Sequence, residues 1–567
     1  MRILSFAAII ILLNGVFSYF NNLPEDIGLD VPDGKLNSLS YAPFREGQSP
    51  LLAIFPSPAQ IDEDLKLLSE KTHTFRTYSS TEGMDVVPPI ARKYGLKMIQ
   101  GAWIGYVDTG NQKEIDELVK AANAYPDVIK RVIVGNEVLL RGEREPEELV
   151  QYIRQVKSRI KQPVSYADVW SMYMKHPDLI KEVDFITIHI LPYWEDEPIP
   201  VDKAPAHIER IYKQVHQEAE RIAPGKPILI GESGWPSEGK QRGWAVPSVV
   251  NEAAFIRGLL KVAADNHFDV NIVESFNQPW KSELEGVVGA NWGLFSADRI
   301  EVFPLTGKVI ENVKWFGHFL IASFIMVLIT ICYAKKLRNA DMPKLLVFLA
   351  LIQVFSALLV FHADKSWYTS YSDWQRFWTV LIVLLNMVVA LLVIQRLSNL
   401  IMGEKTNRTV VVALDGFYFI VIALMLYKTY LLSVDGRYIS YPFEIAAIPL
   451  IGLLGLFVLH CLNDRFVKAN FDFNQLIGRN PQTNQRNRQI AWLTLLYAVG
   501  LVVGEIKAFM MGRDFILAYP DVFHRFGWAI TFTLSNLQLL GWLACLLFIA
   551  LTLLVKSDKR NVSSAYK

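Results

Sequence analysis

Hydrophobic and polar positions divide this chain into two unlike stretches. From about residue 37 to 314, short apolar runs rich in Val and Ile alternate with longer amphipathic runs. The short runs lie at 39–42, 74–78, 97–104, 131–137, 163–168, 184–190, 227–232 and 270–276, and have the length and β-branched content of buried strands. The longer ones, such as 61–69, 112–124, 146–160, 205–223 and 249–265, space their apolar residues as helices do. Strands alternating with helices in this way predict an α/β fold, a (β/α)8 TIM barrel over 37–314. An open doubly wound sheet is the alternative. Beyond 315 the pattern changes to long apolar runs at 316–333, 345–361, 377–393, 410–432, 443–462, 490–509 and 528–555. Each reaches or approaches the ~20 residues that cross a bilayer. An all-α polytopic membrane domain of seven spans is therefore expected over 315–556, with a cytoplasmic tail at 557–567.

The chain begins Met1-Arg2 and continues into an apolar run, the pattern of a signal peptide or signal anchor over 1–20. No small-x-small cleavage site comes after it, which favours an uncleaved anchor. Residues 21–36, rich in Pro, Asp and Gly, read as a linker. With or without cleavage, the stretch beyond the linker is exported.

Basic residues orient the spans. Lys335, Lys336, Arg338 and Lys344 lie after the first span, and Arg396, Lys405 and Arg408 after the third. Arg465, Lys468, Arg479, Arg486 and Arg488 follow the fifth, and Lys556, Lys559 and Arg560 the seventh. The intervening loops carry fewer: Lys365 and Arg376, then Arg437, then Arg513 and Arg525. The richer set is cytoplasmic by this rule, so the barrel lies outside, as the export signal also requires. The expected location is the cell (inner) membrane, multi-pass, with the barrel on the periplasmic side.

Composition narrows the chemistry. A net charge of +1 gives no argument for nucleic acid. No GxxxxGK[ST], CxxC or HExxH pattern occurs, so no metal or cofactor is expected. The three cysteines, Cys332, Cys461 and Cys545, all belong to apolar runs, so the barrel needs no disulfide.

Two of the predicted strands end on a carboxylate. One reads Val134-Gly135-Asn136-Glu137 and the other Ile230-Gly231-Glu232-Ser233-Gly234-Trp235-Pro236. Carboxylates at the C-terminal ends of parallel barrel strands can form an acid and nucleophile pair for glycoside chemistry. Either one alone also fits a helix cap or an ion pair. Cleavage with retention needs the two carboxyls about 5 Å apart, and the acid is best kept protonated by burial or a neighbouring negative charge. Asn136 is placed to hydrogen-bond a sugar 2-hydroxyl.

These two strands resemble the signatures of glycoside hydrolase family 17, retaining (β/α)8 enzymes active on β-1,3-glucan. The likeness runs from Tyr41-Ala42-Pro43-Phe44 to about Pro304. It includes Phe75-Arg76-Thr77-Tyr78-Ser79, Ile188-His189-Ile190-Leu191-Pro192-Tyr193-Trp194 and Phe276-Asn277-Gln278-Pro279-Trp280-Lys281. It is closer to the bacterial, membrane-anchored branch than to plant endoglucanases. The resemblance implies Glu137 as acid/base and Glu232 as nucleophile. It implies Asn136 on the 2-hydroxyl, His189 or Tyr193 orienting the nucleophile, and Arg76 holding a carboxylate or forming a plain ion pair. Tyr41 and Tyr78 join the substrate-binding set. Glucan clefts use aromatic platforms, for which Trp103, Tyr193, Trp194, Trp235, Trp244, Trp280 and Trp292 are candidates and Trp235 and Trp280 are favoured. Asn277-Gln278-Pro279-Trp280-Lys281 departs from plant members, leaving Glu274, Lys281 and Glu285 as candidate helpers.

Hydrolysis alone does not need seven spans. The membrane domain could hold the enzyme where glucan emerges, bind lipid or a membrane glucan synthase, or form a conduit. That context favours remodelling or branching of β-glucan by transglycosylation over simple hydrolysis. Asp415, Glu505, Lys507, Asn386 and His460 fall in or near spans, where polar groups are costly and either functional or mutually paired. The segment 367–374, rich in Trp and Tyr, fits an interfacial aromatic belt or a sugar-stacking loop. The loop 463–488 carries no nucleotide-sugar motif. Readings of other classes are a non-catalytic glucan sensor or scaffold, and a transporter with an appended binding head. The presence of both Glu137 and Glu232 favours the enzyme.

Overall fold

The computed structural model describes residues 2–464, 468–479 and 485–555. Arg465, Lys556, Lys559, Arg560 and the tail 557–567 lie outside the described residues, as does the side chain of Lys468. The chain folds as two compact units. One is Pro24–Glu311, and the other joins the N-terminal helix to the helices beyond residue 312.

The first unit is a closed barrel of eight parallel strands in chain order. They are β1 (Leu36–Ser40), β2 (Thr72–Arg76), β3 (Lys97–Ala102), β4 (Ile129–Asn136), β5 (Val164–Val169), β6 (Ile186–His189), β7 (Ile228–Ser233) and β8 (Asp269–Ile272). β8 closes on β1 through Leu39 and Ile272, which rules out the open sheet. Successive residues of a strand face opposite sides. Val132 and Val134 join the large core with Leu149 and Ile153, whereas Ile133 packs with Ile99, Ala167, Phe185 and Leu229. The helices bury one stripe. In Pro146–Lys157 the buried residues are Leu149, Ile153 and Val156, and the helix starts on a capping box between Glu145 and Glu148. β8 is shorter than its apolar run. Past Ile272 the backbone leaves the ladder, Glu274 N donating to Trp292 O and Ser275 N to Ser40 O.

In the second unit, eight helices among the described residues are long and apolar enough to cross a membrane. They are Arg2–Asn21, Trp315–Ala334, Met342–Tyr368, Asp373–Met402, Arg408–Asp435, Phe443–Asn463, Gln485–Met510 and Leu537–Leu554. The run at 528–555 is not one helix. It breaks at Ser535-Asn536, where the Asn536 side chain accepts Leu539 N and caps the last helix. The N-terminal helix packs within this unit: Gln353 Nε2 donates to Asn14 Oδ1 at 2.9 Å.

Candidate active site

Glu137 and Glu232 reach one point because of what surrounds them in the chain. Gly135 sits at φ +83°, and a Cβ there would lie 2.8 Å from Val138 Cγ2. Glu137 itself turns into the left-handed region at φ 53°. That conformation costs a non-glycine residue on the order of 1–3 kcal/mol. Backbone bonds hold it: Glu137 N donates to Ala167 O at 2.8 Å, and Glu137 O accepts Arg141 N at 3.0 Å. The Gly-Asn-Glu sequence thus lifts the carboxylate out of the β4 ladder. On β7, Gly231 has no room for a side chain, since a Cβ would meet Thr187 Cγ2 at 2.3 Å. Its bare backbone lets Arg76 Nη1 reach Gly231 O at 2.9 Å.

The resulting cluster draws on β2, β4, β6 and β7. Arg76 Nη1 donates to Glu232 Oε1 at 3.1 Å, and Arg76 Nη2 donates to Asn136 Oδ1. His189 Nδ1 is 2.9 Å from Glu137 Oε1, and its Nε2 is 3.3 Å from Arg76 Nη1 and 3.6 Å from Glu232 Oε1. A guanidinium can only donate. Nε2 facing it is therefore the acceptor nitrogen, and Nδ1 carries the hydrogen donated to Glu137. One oxygen of each carboxylate and a ring nitrogen of His189 lie within 4.8 Å of one another. Such a Glu-His-Glu set could hold a metal ion by geometry alone. Here the buried Arg76 guanidinium already supplies positive charge beside Glu232 and His189 Nε2, which disfavours a second cation.

The electrostatics differ from the expectation of a protonated acid. Burial pushes the Glu137 carboxyl upward, but the hydrogen bond and charge of His189, with Arg141 and Arg76, outweigh it and hold it below its ordinary value. The resting site is thus an ionised Glu137 against a hydrogen-bonded imidazole. Beside it, Asp168 at the end of β5 is fully buried and accepts from Tyr166 Oη and from Val169 N at 2.8 Å. Burial pushes Asp168 up to about 6, with the Tyr166 hydrogen bond opposing and the charge of Glu137 adding. Glu274, just past β8, pairs with Lys281 Nζ at 3.2 and 3.3 Å. Burial raises Glu274 to about 7, against the pull of Lys281 and with the charges of Glu232 and Glu285 adding.

The remaining candidates separate by exposure. Tyr78 is half-buried beside the cluster, its ring 5.0 Å from the Arg76 guanidinium. Burial and then the charge of Glu232 raise its hydroxyl well above the ordinary value. Trp280 is half-buried, edge-on to Phe44, with Nε1 donating to Gln278 Oε1 at 3.0 Å. Three expectations are corrected. Tyr41 is fully enclosed, edge-on to Phe75 and Phe276, with its hydroxyl 3.4 Å from Asp64 Oδ2. Tyr193 is enclosed with its hydroxyl on Lys240 O at 2.5 Å, so it packs in the core and His189 alone takes the place at the carboxylates. Trp235 is enclosed, Nε1 donating to Val246 O at 2.9 Å. The indole packs against Tyr193 and Phe255, with ring centroids 6.0 and 5.6 Å away, so it fills the core rather than the cleft. Trp292 is buried too, while Trp103 and Trp244 stay exposed. Asp168 had a visible signal, a carboxylate ending a strand in Tyr166-Ala167-Asp168, but no glycine precedes it to mark a turn.

Residues 38–293 match the family model of the BtgE/BtgC glycoside hydrolase domain. Among curated proteins, a glucan 1,3-beta-glucosidase of Arthroderma benhamiae is 28% identical over 269 residues, covering 44% of this chain and 85% of that one. A probable family 17 glucosidase of Saccharomyces cerevisiae is 26% identical over 270 residues, covering 46% of this chain and 64% of that one. Both relatives are fungal. Among solved structures, the glycoside hydrolase family 17 beta-1,3-glucanosyltransferase from Rhizomucor miehei is 28% identical, with a TM-score of 0.41 over 47% of this chain and 95% of that one.

Proposed function

We propose that this chain, whose barrel is a glycoside hydrolase domain of the BtgE/BtgC family, is a membrane-anchored retaining enzyme that cleaves and re-forms β-1,3-glucosidic bonds. The observation that carries the reading is the approach of Glu137 and Glu232 to within 4.8 Å, around a shared His189. Carboxyls about 5–5.5 Å apart leave no room for a water between nucleophile and sugar, as inversion would require.

In the first step Glu232 attacks the anomeric carbon while the leaving oxygen takes a proton from Glu137, giving a glycosyl ester and a free sugar hydroxyl. Arg76 aims Glu232 through the 3.1 Å bond from Nη1 to Oε1. Glu137 takes up the proton it delivers from solvent before the step, and the His189 Nδ1–H bonded to the same carboxyl holds it in place. In the second step Glu137 removes a proton from an incoming hydroxyl, whose oxygen displaces Glu232. Asn136, its Oδ1 engaged by Arg76, offers Nδ2 to the 2-hydroxyl. Tyr78 and Trp280 border the donor sugar.

Whether the incoming hydroxyl belongs to water or sugar decides hydrolysis against transfer. The eight apolar helices support transfer, with branching or elongation of glucan, because they would hold the barrel where a membrane glucan synthase releases its polymer. The relatives named as glucosidases favour simple hydrolysis as the second reading. The packing of Arg2–Asn21 against Met342–Tyr368 supports a retained anchor over a cleaved signal, and the excess of Lys and Arg in alternate loops supports seven later spans with the barrel on the periplasmic side of the inner membrane.

The test incubates the full chain in detergent with β-1,3-gluco-oligosaccharides and reads products by mass, linkage and first-formed anomer. Longer or newly linked β-products lost in Glu232→Gln support transfer. Shorter β-products alone leave a hydrolase. A first-formed α-anomer refutes retention, and binding without turnover refutes the enzyme in favour of a glucan sensor.

A further inference from the structure

Trp103, the first residue after β3, keeps 41% of its surface exposed, whereas Trp235 and Trp292 of the same barrel are buried. Its backbone is fixed rather than loose. Trp103 N donates to Glu114 Oε2 at 3.0 Å, and the same buried carboxylate accepts Ser79 Oγ at 2.7 Å, Ser80 N at 2.8 Å and Thr81 N at 3.1 Å. One side chain thus clamps the rims that follow β2 and β3. The rim after β3 is also tied to the rim after β4. Arg144 Nε donates to Gly105 O at 3.0 Å and its Nη2 to Tyr106 O at 2.8 Å. Over the indole lies the Arg141 guanidinium, 4.5 Å from the ring centroid. Arg141 belongs to the turn that carries Glu137, its backbone N–H donating to Glu137 O at 3.0 Å. Leu140, on that turn, is also exposed.

We infer that Trp103 is the stacking platform for the sugar on the leaving-group side of the cleft, the site that an acceptor sugar re-enters. This rests on the retaining reading of Glu137 and Glu232. The two carboxylates serve opposite sides of the broken bond. Glu232 holds the transferred sugar by its anomeric carbon, while Glu137 handles the oxygen of the departing one. A surface attached to the Glu137 turn therefore borders the departing sugar. By microscopic reversibility, an acceptor hydroxyl activated by Glu137 approaches through the same place. Sugar rings present flat C–H faces, and a rigid indole backed by a cation offers a flat apolar surface at little entropic cost.

The test compares Trp103→Ala and Trp103→Phe in the full chain. One substrate is a six-unit β-1,3-gluco-oligosaccharide. The other is a dinitrophenyl β-laminaribioside, whose leaving group needs little protonation and no sugar site. The expected result is a loss in kcat/KM for Trp103→Ala at least tenfold larger on the oligosaccharide than on the aryl donor. The laminaritriose concentration for half-maximal interception of the glycosyl-enzyme should rise by a similar factor, and Trp103→Phe should recover most of both. Equal losses on the two substrates, a larger loss on the aryl donor, or no loss on either overturns the platform. Aryl release in the parent chain that survives Glu232→Gln overturns the retaining reading itself, and the platform with it.

Discussion

The barrel and the helical unit treat buried charge in opposite ways. In the barrel, Arg76, His189, Glu137 and Glu232 come from strands spread over more than a hundred residues, and two carboxylates converge on one guanidinium and one imidazole. In the helical unit, Asp415 is met by Arg479 at 2.9 Å and Arg486 at 3.1 Å, and Arg396 donates to Leu476 O, Gln475 O and Thr406 Oγ1. Asn386 donates to Ile382 O and Glu444 O, and Trp542 to Thr429 Oγ1. Apart from the Asn386 bond to Ile382 O within its own helix, these bonds tie a helix to another segment of the unit. A buried charge costs several kcal/mol unless it is paired. The helical unit meets that cost at these residues by pairing or capping, which holds its helices together. The barrel leaves two like charges side by side, an arrangement that chemistry can use.

The sharpest way to break this contrast is at Glu232. Glu232→Gln is expected to lower turnover of β-1,3-gluco-oligosaccharide by about 10⁴-fold or more, the scale seen when an essential covalent group is removed. Glu137→Gln should cost about 10²–10⁴-fold on a sugar leaving group, the usual range for a general acid. Its loss should be much smaller on a dinitrophenyl donor, which leaves without a proton. Steady-state kinetics on the two substrates separates the roles. If both variants retained parental turnover, the convergence of charge in the barrel would be structural and the contrast would vanish.

Architecture was legible where pattern alone decides it. Eight β-branched runs separated by amphipathic ones pointed to a barrel, with the open sheet excluded only by the closure of β8 on β1, and the long apolar runs stand out from the rest of the chain. Gly135 and Gly231 were legible as markers, because each sits where a Cβ meets an atom within 3 Å. What the chain did not reveal was direction. Trp235 looks like a cleft wall in sequence, close to Glu232, yet its indole packs inward against Tyr193 and Phe255 and donates to Val246 O. Tyr41 and Tyr193 were hidden by the same cause: burial depends on neighbours distant in sequence. The ionised state of Glu137 also lay beyond reach, since it depends on His189, 52 positions away. The break at Ser535-Asn536 was in principle visible, Asn being a good cap, but it was masked by the apolar residues on both sides.

Gly231→Ala tests the barrel's tolerance. The added methyl would sit 2.3 Å from Thr187 Cγ2 and 3.4 Å from Arg76 Nη1. Overpacking of this kind costs typically about 1–3 kcal/mol and shifts backbone, so thermal unfolding of the barrel should drop by several degrees and Arg76 should lose its grip on Gly231 O. Asp415→Asn probes the other unit. It leaves Arg479 and Arg486 facing each other without their shared counter-charge. Both arginines are partly exposed, so the expected cost lies at about 1–2 kcal/mol, between surface and buried pairs. Detergent-resistance of the helical unit should fall while hydrolysis of a soluble oligosaccharide persists. An equal loss of turnover would mean that the two units are not chemically separate.

The smallest effect is one of pH. Glu274 has an ordinary pKa of 4.5 and about 7 when folded, because burial penalises its charged form beside Glu232 more than Lys281 relieves it. Below 4.5 it is protonated folded or unfolded and contributes no pH dependence. Between 4.5 and about 7 the unfolded chain has released the proton that the folded one still holds. Stability therefore falls as pH rises through that window, and the full penalty is present above it. Glu274→Gln removes the titration while leaving an amide oxygen for Lys281 Nζ. Thermal unfolding of the barrel, followed by near-ultraviolet circular dichroism from pH 4 to 8, should then decline less steeply with pH than in the parent chain. The slope carries this prediction, because a constant offset between the two proteins reports only the exchange of a carboxyl for an amide. Parallel curves would show that Lys281 neutralises Glu274 completely.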